Sequence, residues 1–188
     1  MKMADSSLES KDYEEKCIFC NIAKGNIKAK KIYSDDKITA FLDINPANPG
    51  HVLIIPNKHV LMFPLLDDSI VGYIFAMAKN ISLIMLKVLG SKGSTILVGN
   101  GVVAGQKAPH ALLHLIPRYP DDDIGLVPPI KKIDDKKIKE LRYALTEAMK
   151  QFLDEKNIIE EKEVKEQKEE AEEDEFDPDR VSKLFLGK

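Results

Sequence analysis

The stretch from Gly105 to Arg118 constrains this chain most. Its alternation of side chains predicts a strand. Successive side chains on a strand point to opposite faces, so His110, Leu112 and His114 share one face, and Ala111, Leu113 and Leu115 share the other. Two histidines on an otherwise apolar strand face require partners, because burying an unpaired imidazole is costly.

The rest of the chain reads as a mixture of strands and helices. Cys17–Gly25 is compatible with a short helix. Lys31–Ser34 and Ile38–Leu42 read as a hairpin around Asp35-Asp36, and His51–Ile55 as an apolar strand closed by Pro56. Between them, Asp43–Gly50 is dense in Pro, Asn and Gly and reads as a loop. Asp67–Leu89 carries Ile70, Ile74, Met77, Ile81, Ile84 and Val88 at helical spacing, with Gly90 just beyond. Thr95–Gly99 reads as another strand. A second helix is expected over Asp134–Asn157, with Ile138, Leu141, Leu145, Met149 and Phe152 on one face.

These elements divide the chain into a disordered leader (1–14), a folded domain (15–130), a C-terminal helix (131–159) and a charged tail (160–188). The tail ends in an apolar segment with Val181, Leu184, Phe185 and Leu186, which is expected to dock on the body or on a partner subunit.

Charge and targeting signals narrow the function classes. The 188 residues carry a net charge of -3, which gives no argument for nucleic acid. Residues 151–188 hold 14 acidic and 7 basic side chains, leaving the body mildly basic, as suits an anionic ligand. No apolar run is expected to reach the roughly 20 residues of a membrane span. Met1–Glu15 lacks an apolar signal region, and the expected location is the cytoplasm.

The two cysteines, Cys17 and Cys20, form a lone Cys-x-x-Cys. In a chain without an export signal that spacing favours metal or redox chemistry over a structural disulfide. Two thiolates on one turn can reach the same ion, and a tetrahedral zinc then needs two further ligands, commonly histidines. The chain has four, His51, His59, His110 and His114. A redox pair and a pair of metal-free buried thiols remain as alternatives.

Several segments stand in the order and spacing of one family: Cys17-Ile18-Phe19-Cys20, Ala40-Phe41-Leu42-Asp43, Pro49-Gly50-His51, Val52–Pro56, Gly105-Gln106 and the His110–Arg118 stretch. Over about residues 17–120 the chain resembles the histidine triad (HIT) superfamily, whose zinc-containing microbial members carry Cys-x-x-Cys near the N-terminus. The resemblance implies an α+β fold with a five-stranded antiparallel sheet and helices, and a homodimer in which the sheet continues across subunits. It implies a zinc site of Cys17, Cys20, His59 and His110. It also implies a purine mononucleotide or nucleotide conjugate as ligand. Asp43 would bind the ribose, Ile22, Ile27, Phe41 and Ile44 would wall the base, Gln106 and Lys107 would contribute to the nucleotide site, and His51 and His114 would face the phosphate.

Against that pattern, the position whose histidine attacks phosphorus in the family is Leu112. Leucine has no lone pair and cannot form the nucleotidyl-histidine intermediate. Lys107 and Gly99 also replace the family's usual serine and asparagine. Three readings follow. The first is a nucleotide-binding protein with little or no hydrolase activity. The second is a hydrolase or nucleotidyl transferase using another attacking group, such as His114 or an activated water. The third is a zinc-tied dimeric assembly protein.

Overall fold

The computed structural model describes residues 13–125 and 128–173, without the side chains of 158–173. Two units are distinguished, 1–126 and 127–188. The expected leader, apart from its last two residues, and the apolar terminal segment lie outside the described residues.

The first unit is an α+β domain around a five-stranded antiparallel sheet. Its strands are β1 (Lys31–Ser34), β2 (Ile38–Leu42), β3 (Val52–Pro56), β4 (Gly93–Leu97) and β5 (Leu113–Arg118), in the order β1-β2-β3-β5-β4. Helix α1 (Ile18–Ala23) precedes β1, and α2 (Asp68–Val88) connects β3 to β4. The β1–β2 turn is set by Asp35, whose Oδ1 accepts the N–H groups of Lys37 and Ile38. Its Oδ2 accepts the hydroxyls of Tyr33 and Tyr73 at 2.9 and 2.6 Å, fastening the hairpin to α2.

The sheet is apolar on both faces, which explains the unbroken run of Val52–Pro56. One face packs Ile38, Ala40, Val52, Ile54, Leu113 and Leu115 against Ile74, Ala78, Ile81 and Met85 of α2. Those helix residues recur every three or four positions and form one stripe. On the other face Phe41, Leu53 and Ile55 pack with Ile22 of α1.

Helix α2 corrects one expectation: it is long and apolar enough, by length and composition, to cross a membrane. The sheet accounts for one face of it, whereas Phe75, Leu83 and Leu86 are exposed on the rest. Edge strand β4 is likewise exposed at Ile96 and Leu97.

Strand β5 is shorter than its alternation predicts, because His110–Leu112 lie outside the ladder. The N–H of His110 goes to Ala108 and that of Ala111 to Val60, both loop carbonyls. The alternation of faces nevertheless persists. Ala111 joins Leu113 and Leu115 in the helix-covered core, and Leu112 packs on the opposite cluster. Strand β4 begins and ends two residues before the expected Thr95–Gly99, since its register runs from Gly93 opposite Arg118 to Leu97 opposite His114.

The second unit contains α3 (Asp135–Glu173), which extends 16 residues beyond the expected end at Asn157. No Gly or Pro interrupts the chain from Asp134 to Asp177, and Glu and Lys are good helix formers.

Gly50 shows what the fold demands locally. Its φ is +92°, and an added Cβ would lie 2.5 Å from Leu89 Cδ1 and 3.3 Å from Pro117 Cγ. Gly50→Ala is expected to destabilise the domain by about 1–3 kcal/mol. Gly72→Ala, on an exposed turn of α2 with nothing within 4 Å of the added carbon, should stabilise it by about 0.5–1 kcal/mol. Thermal melts that place the two variants in the opposite order would contradict this packing.

Candidate functional site

Two histidine-containing clusters form around the sheet, and the β3–β5 pairing positions both. Leu53 lies opposite His114 in that pairing, and His51 immediately precedes β3.

The first cluster gathers Cys17, Cys20, His59 and His110, with one donor atom from each inside a 4.8 Å span. Cys17 caps α1 and Cys20 follows one turn later, which brings both thiols to the same side. His110 Nδ1 stands 3.4 Å from Cys17 Sγ and 3.6 Å from Cys20 Sγ, and His59 Nδ1 is 3.2 Å from Cys20 Sγ. A tetrahedral zinc with ordinary Zn–S and Zn–N bonds would hold such atoms about 3.5 Å apart.

Protonation chemistry fits the same group. His110 Nε2 lies 3.0 Å from the carbonyl of Pro56, so it donates there and leaves Nδ1 with a lone pair turned to the thiols. Burial favours the neutral form of His110, against the opposing effect of the Pro56 hydrogen bond. Burial, and then the neighbouring Cys17, push the Cys20 thiol up to about 12. A buried thiolate pair therefore needs a cation. His59 Nε2 is buried without a hydrogen-bond partner. Phe19 touches this cluster, its ring 5.7 Å from that of His110.

The second cluster is Asp43, His51 and His114. His51 Nε2 is 3.1 Å from His114 Nδ1, and His51 Nδ1 is 3.5 Å from Asp43 Oδ2. Asp43 follows β2, and its Oδ1 accepts the N–H of Asn45. Burial lowers the pKa of both imidazoles, while Asp43 opposes the shift. The ammonium of Lys107 also disfavours a charged His114.

The remaining candidates sit in different settings. Ile22 and Phe41 are buried in the second apolar cluster, against which Leu112 packs. Ile27 and Ile44 are exposed, at 39% and 88%. Lys107 is exposed. Gln106 is committed to backbone groups of its own loop and of the Leu61 segment: Oε1 accepts the N–H of Gly101 at 2.7 Å, and Nε2 donates to the carbonyls of Leu61 and Ala108.

Several neighbours of these clusters escape a reading of motifs. Asn48, Arg118, Tyr119 and Asp122 brace the Asp43–Gly50 loop. Asn48 Nδ2 donates to Pro117 and to Asp122, and Tyr119 donates to the carbonyl of Pro49. Arg118 and Asp122 are four residues apart and form a bidentate pair. Their spacing is the one signal the sequence offers.

Comparison with known proteins places the chain. The family described as HIT domain matches residues 24–121. An uncharacterized HIT-like protein of Methanocaldococcus jannaschii is 42% identical over 129 residues, covering 67% of this chain and 98% of that protein. The adenosine 5'-monophosphoramidase hnt1 of Schizosaccharomyces pombe is 36% identical over 110 residues, covering 58% of this chain and 79% of the relative. A zinc-bound histidine triad family protein from Mycobacterium smegmatis superposes with a TM-score of 0.57 at 28% identity, covering 73% of this chain and 98% of that one. With the fold, the two clusters and these matches in agreement, the chain belongs to the HIT domain family.

Proposed function

We propose that this protein binds a purine mononucleotide or a nucleotide conjugate at Asp43, His51 and His114, and turns over adenylate substrates weakly or not at all. The observation that carries the reading is that these three polar groups meet while Leu112 packs among Ile22, Phe41, Leu53 and Ile55.

In this reading the Asp43 carboxylate accepts both ribose hydroxyls, a pair of charge-assisted bonds. Ile22, Ile27, Phe41 and Ile44 wall the base, the exposed members closing over it. His51 and His114 hold phosphate oxygens, and Lys107 adds a positive charge near them. Gln106 shapes the loop instead of touching the ligand. What is missing is an atom to form the N–P bond, since the leucine side chain offers none. The S. pombe relative, an adenosine 5'-monophosphoramidase, supports a nucleotide ligand, and the zinc-bound M. smegmatis structure supports a metal centre; the leucine argues that binding outlasts catalysis here.

Zinc is the metal proposed for Cys17, Cys20, His59 and His110. Four protein ligands leave no open position, so the ion would be structural and would tie the N-terminal segment to the sheet. The reducing cytoplasm suits both thiols as ligands. A homodimer is also proposed, with a second copy covering edge strand β4 and the exposed face of α2. Ile96 and Leu97 on the strand and Phe75, Leu83 and Leu86 on the helix supply the apolar surface.

Three outcomes check this. Elemental analysis should find about one zinc per chain. Cys17→Ser should lower the melting temperature far more than it lowers AMP affinity, and a metal-free protein of full stability would exclude the metal. Light scattering should give twice the chain mass, with Leu83→Glu shifting the population toward monomer; a wild-type monomer at micromolar concentration would contradict the dimer.

The decisive variant is Leu112→His. It should raise adenosine phosphoramidate hydrolysis by about three orders of magnitude or more and permit trapping of an adenylylated histidine. Wild-type protein that already matches the variant's rate would show that another nucleophile operates.

A further inference from the structure

The contact between His51 and His114 has a direction, set by the loop before β3. The backbone N–H of Ala47 points at His51 Nδ1 from 3.2 Å. A ring nitrogen that accepts an N–H carries no proton of its own. Burial keeps His51 neutral against the pull of Asp43, so its single proton resides on Nε2. That nitrogen donates to His114 Nδ1 across 3.1 Å. Neutral His114 then carries its proton on Nε2, which makes no hydrogen bond among the described residues.

The loop N–H is itself held in place. Asn48, the next residue, accepts the N–H of His51 on its carbonyl at 3.0 Å. Its side-chain amide donates to Pro117 and to Asp122 Oδ2, each at 2.9 Å. The Asp122 carboxylate is anchored in turn by Arg118 Nε at 2.6 Å and Nη2 at 2.7 Å. Strand β5 thus grips the loop through Pro117 and through Arg118 with Asp122.

We infer that Asn48 and Asp122 are positioning residues that fix the Ala47 N–H, and through it the tautomers of His51 and His114, so that His114 presents an N–H donor and not a lone pair. The inference rests on the proposed phosphate site and deepens it. His114 selects an anionic oxygen, and it is denied the role of attacking nitrogen.

Nitrogen-15 NMR of the imidazoles in zinc-loaded wild-type protein at neutral pH, without nucleotide, reads the tautomers directly. Both Nε2 atoms should be protonated and both Nδ1 atoms bare; a proton on Nδ1 of His114 would overturn the inference. Asp122→Asn and Asn48→Ala should each convert His114 to a mixture of tautomers. Each should weaken AMP binding by about tenfold or less, the scale of one net hydrogen bond. Variants that melt earlier but leave the imidazole signals unmoved would show a merely structural role and defeat the proposal. Should Asn48→Ala fail to fold, the near-isosteric Asp122→Asn reads the same imidazole signals, and unmoved signals there would defeat the proposal. The expected wild-type tautomers, a tautomer mixture in the variants and wild-type protein that ignores AMP would together support the positioning role and remove the nucleotide reading.

Discussion

The antiparallel pairing of β3 with β5 is the contact on which both clusters depend. Its register sets Val52 opposite Leu115, Leu53 opposite His114 and Ile54 opposite Leu113. From that alignment His51 meets His114 at one end, and the Pro56 carbonyl meets the His110 ring at the other. A slip of one residue would exchange the faces of every side chain on β5. His114 would turn into the helix-covered core, and Leu113 would turn away from Ile74 and Ile81. Two buried apolar faces and two polar clusters therefore specify the same register, which is the agreement between levels expected of a sequence with one structure.

Much of this was legible because it is local. The Asp35 turn, the α2 stripe and the Cys17–Cys20 spacing are all patterns within a few residues. The convergence of four metal-type ligands was reachable only through family resemblance, since Cys20 and His110 are 90 positions apart. The end of β5 misled for a related reason. The alternation of His110, Leu112 and His114 is real, but the backbone of His110 and Ala111 bonds to the carbonyls of Ala108 and Val60, contacts that no periodicity encodes. Asn48 and Asp122 were missed because a loop asparagine and one aspartate within Asp121–Asp123 look like turn and solvent residues until Pro117 and Arg118 are beside them. Helix α2 was misjudged on one point: its length and composition pass for a membrane span, although the stripe of Ile74, Ala78, Ile81 and Met85 packs against the sheet.

Leu112 and Gly99, the positions on which the proposed loss of catalysis turns, are accommodated by their neighbours. Leu112 has apolar company in Leu53 and Ile55. Gly99 is backed so closely that a Cβ would lie 2.7 Å from the carbonyl oxygen of Ala104. An asparagine there would require the 101–105 loop to move. Leucine and glycine are each matched to their surroundings, whereas Asp43, His51 and His114 keep a polar constellation that a plain core would not retain. A site preserved for binding and repacked against attack is the physical content of the proposed function.

Calorimetric titration of zinc-loaded wild-type protein with AMP tests that account most directly. It predicts saturable binding at about one nucleotide per chain, abolished or strongly weakened by Asp43→Ala, because the carboxylate's bonds to the ribose are charge-assisted. Protein that is folded and metal-loaded yet gives no saturable heat with AMP would contradict it.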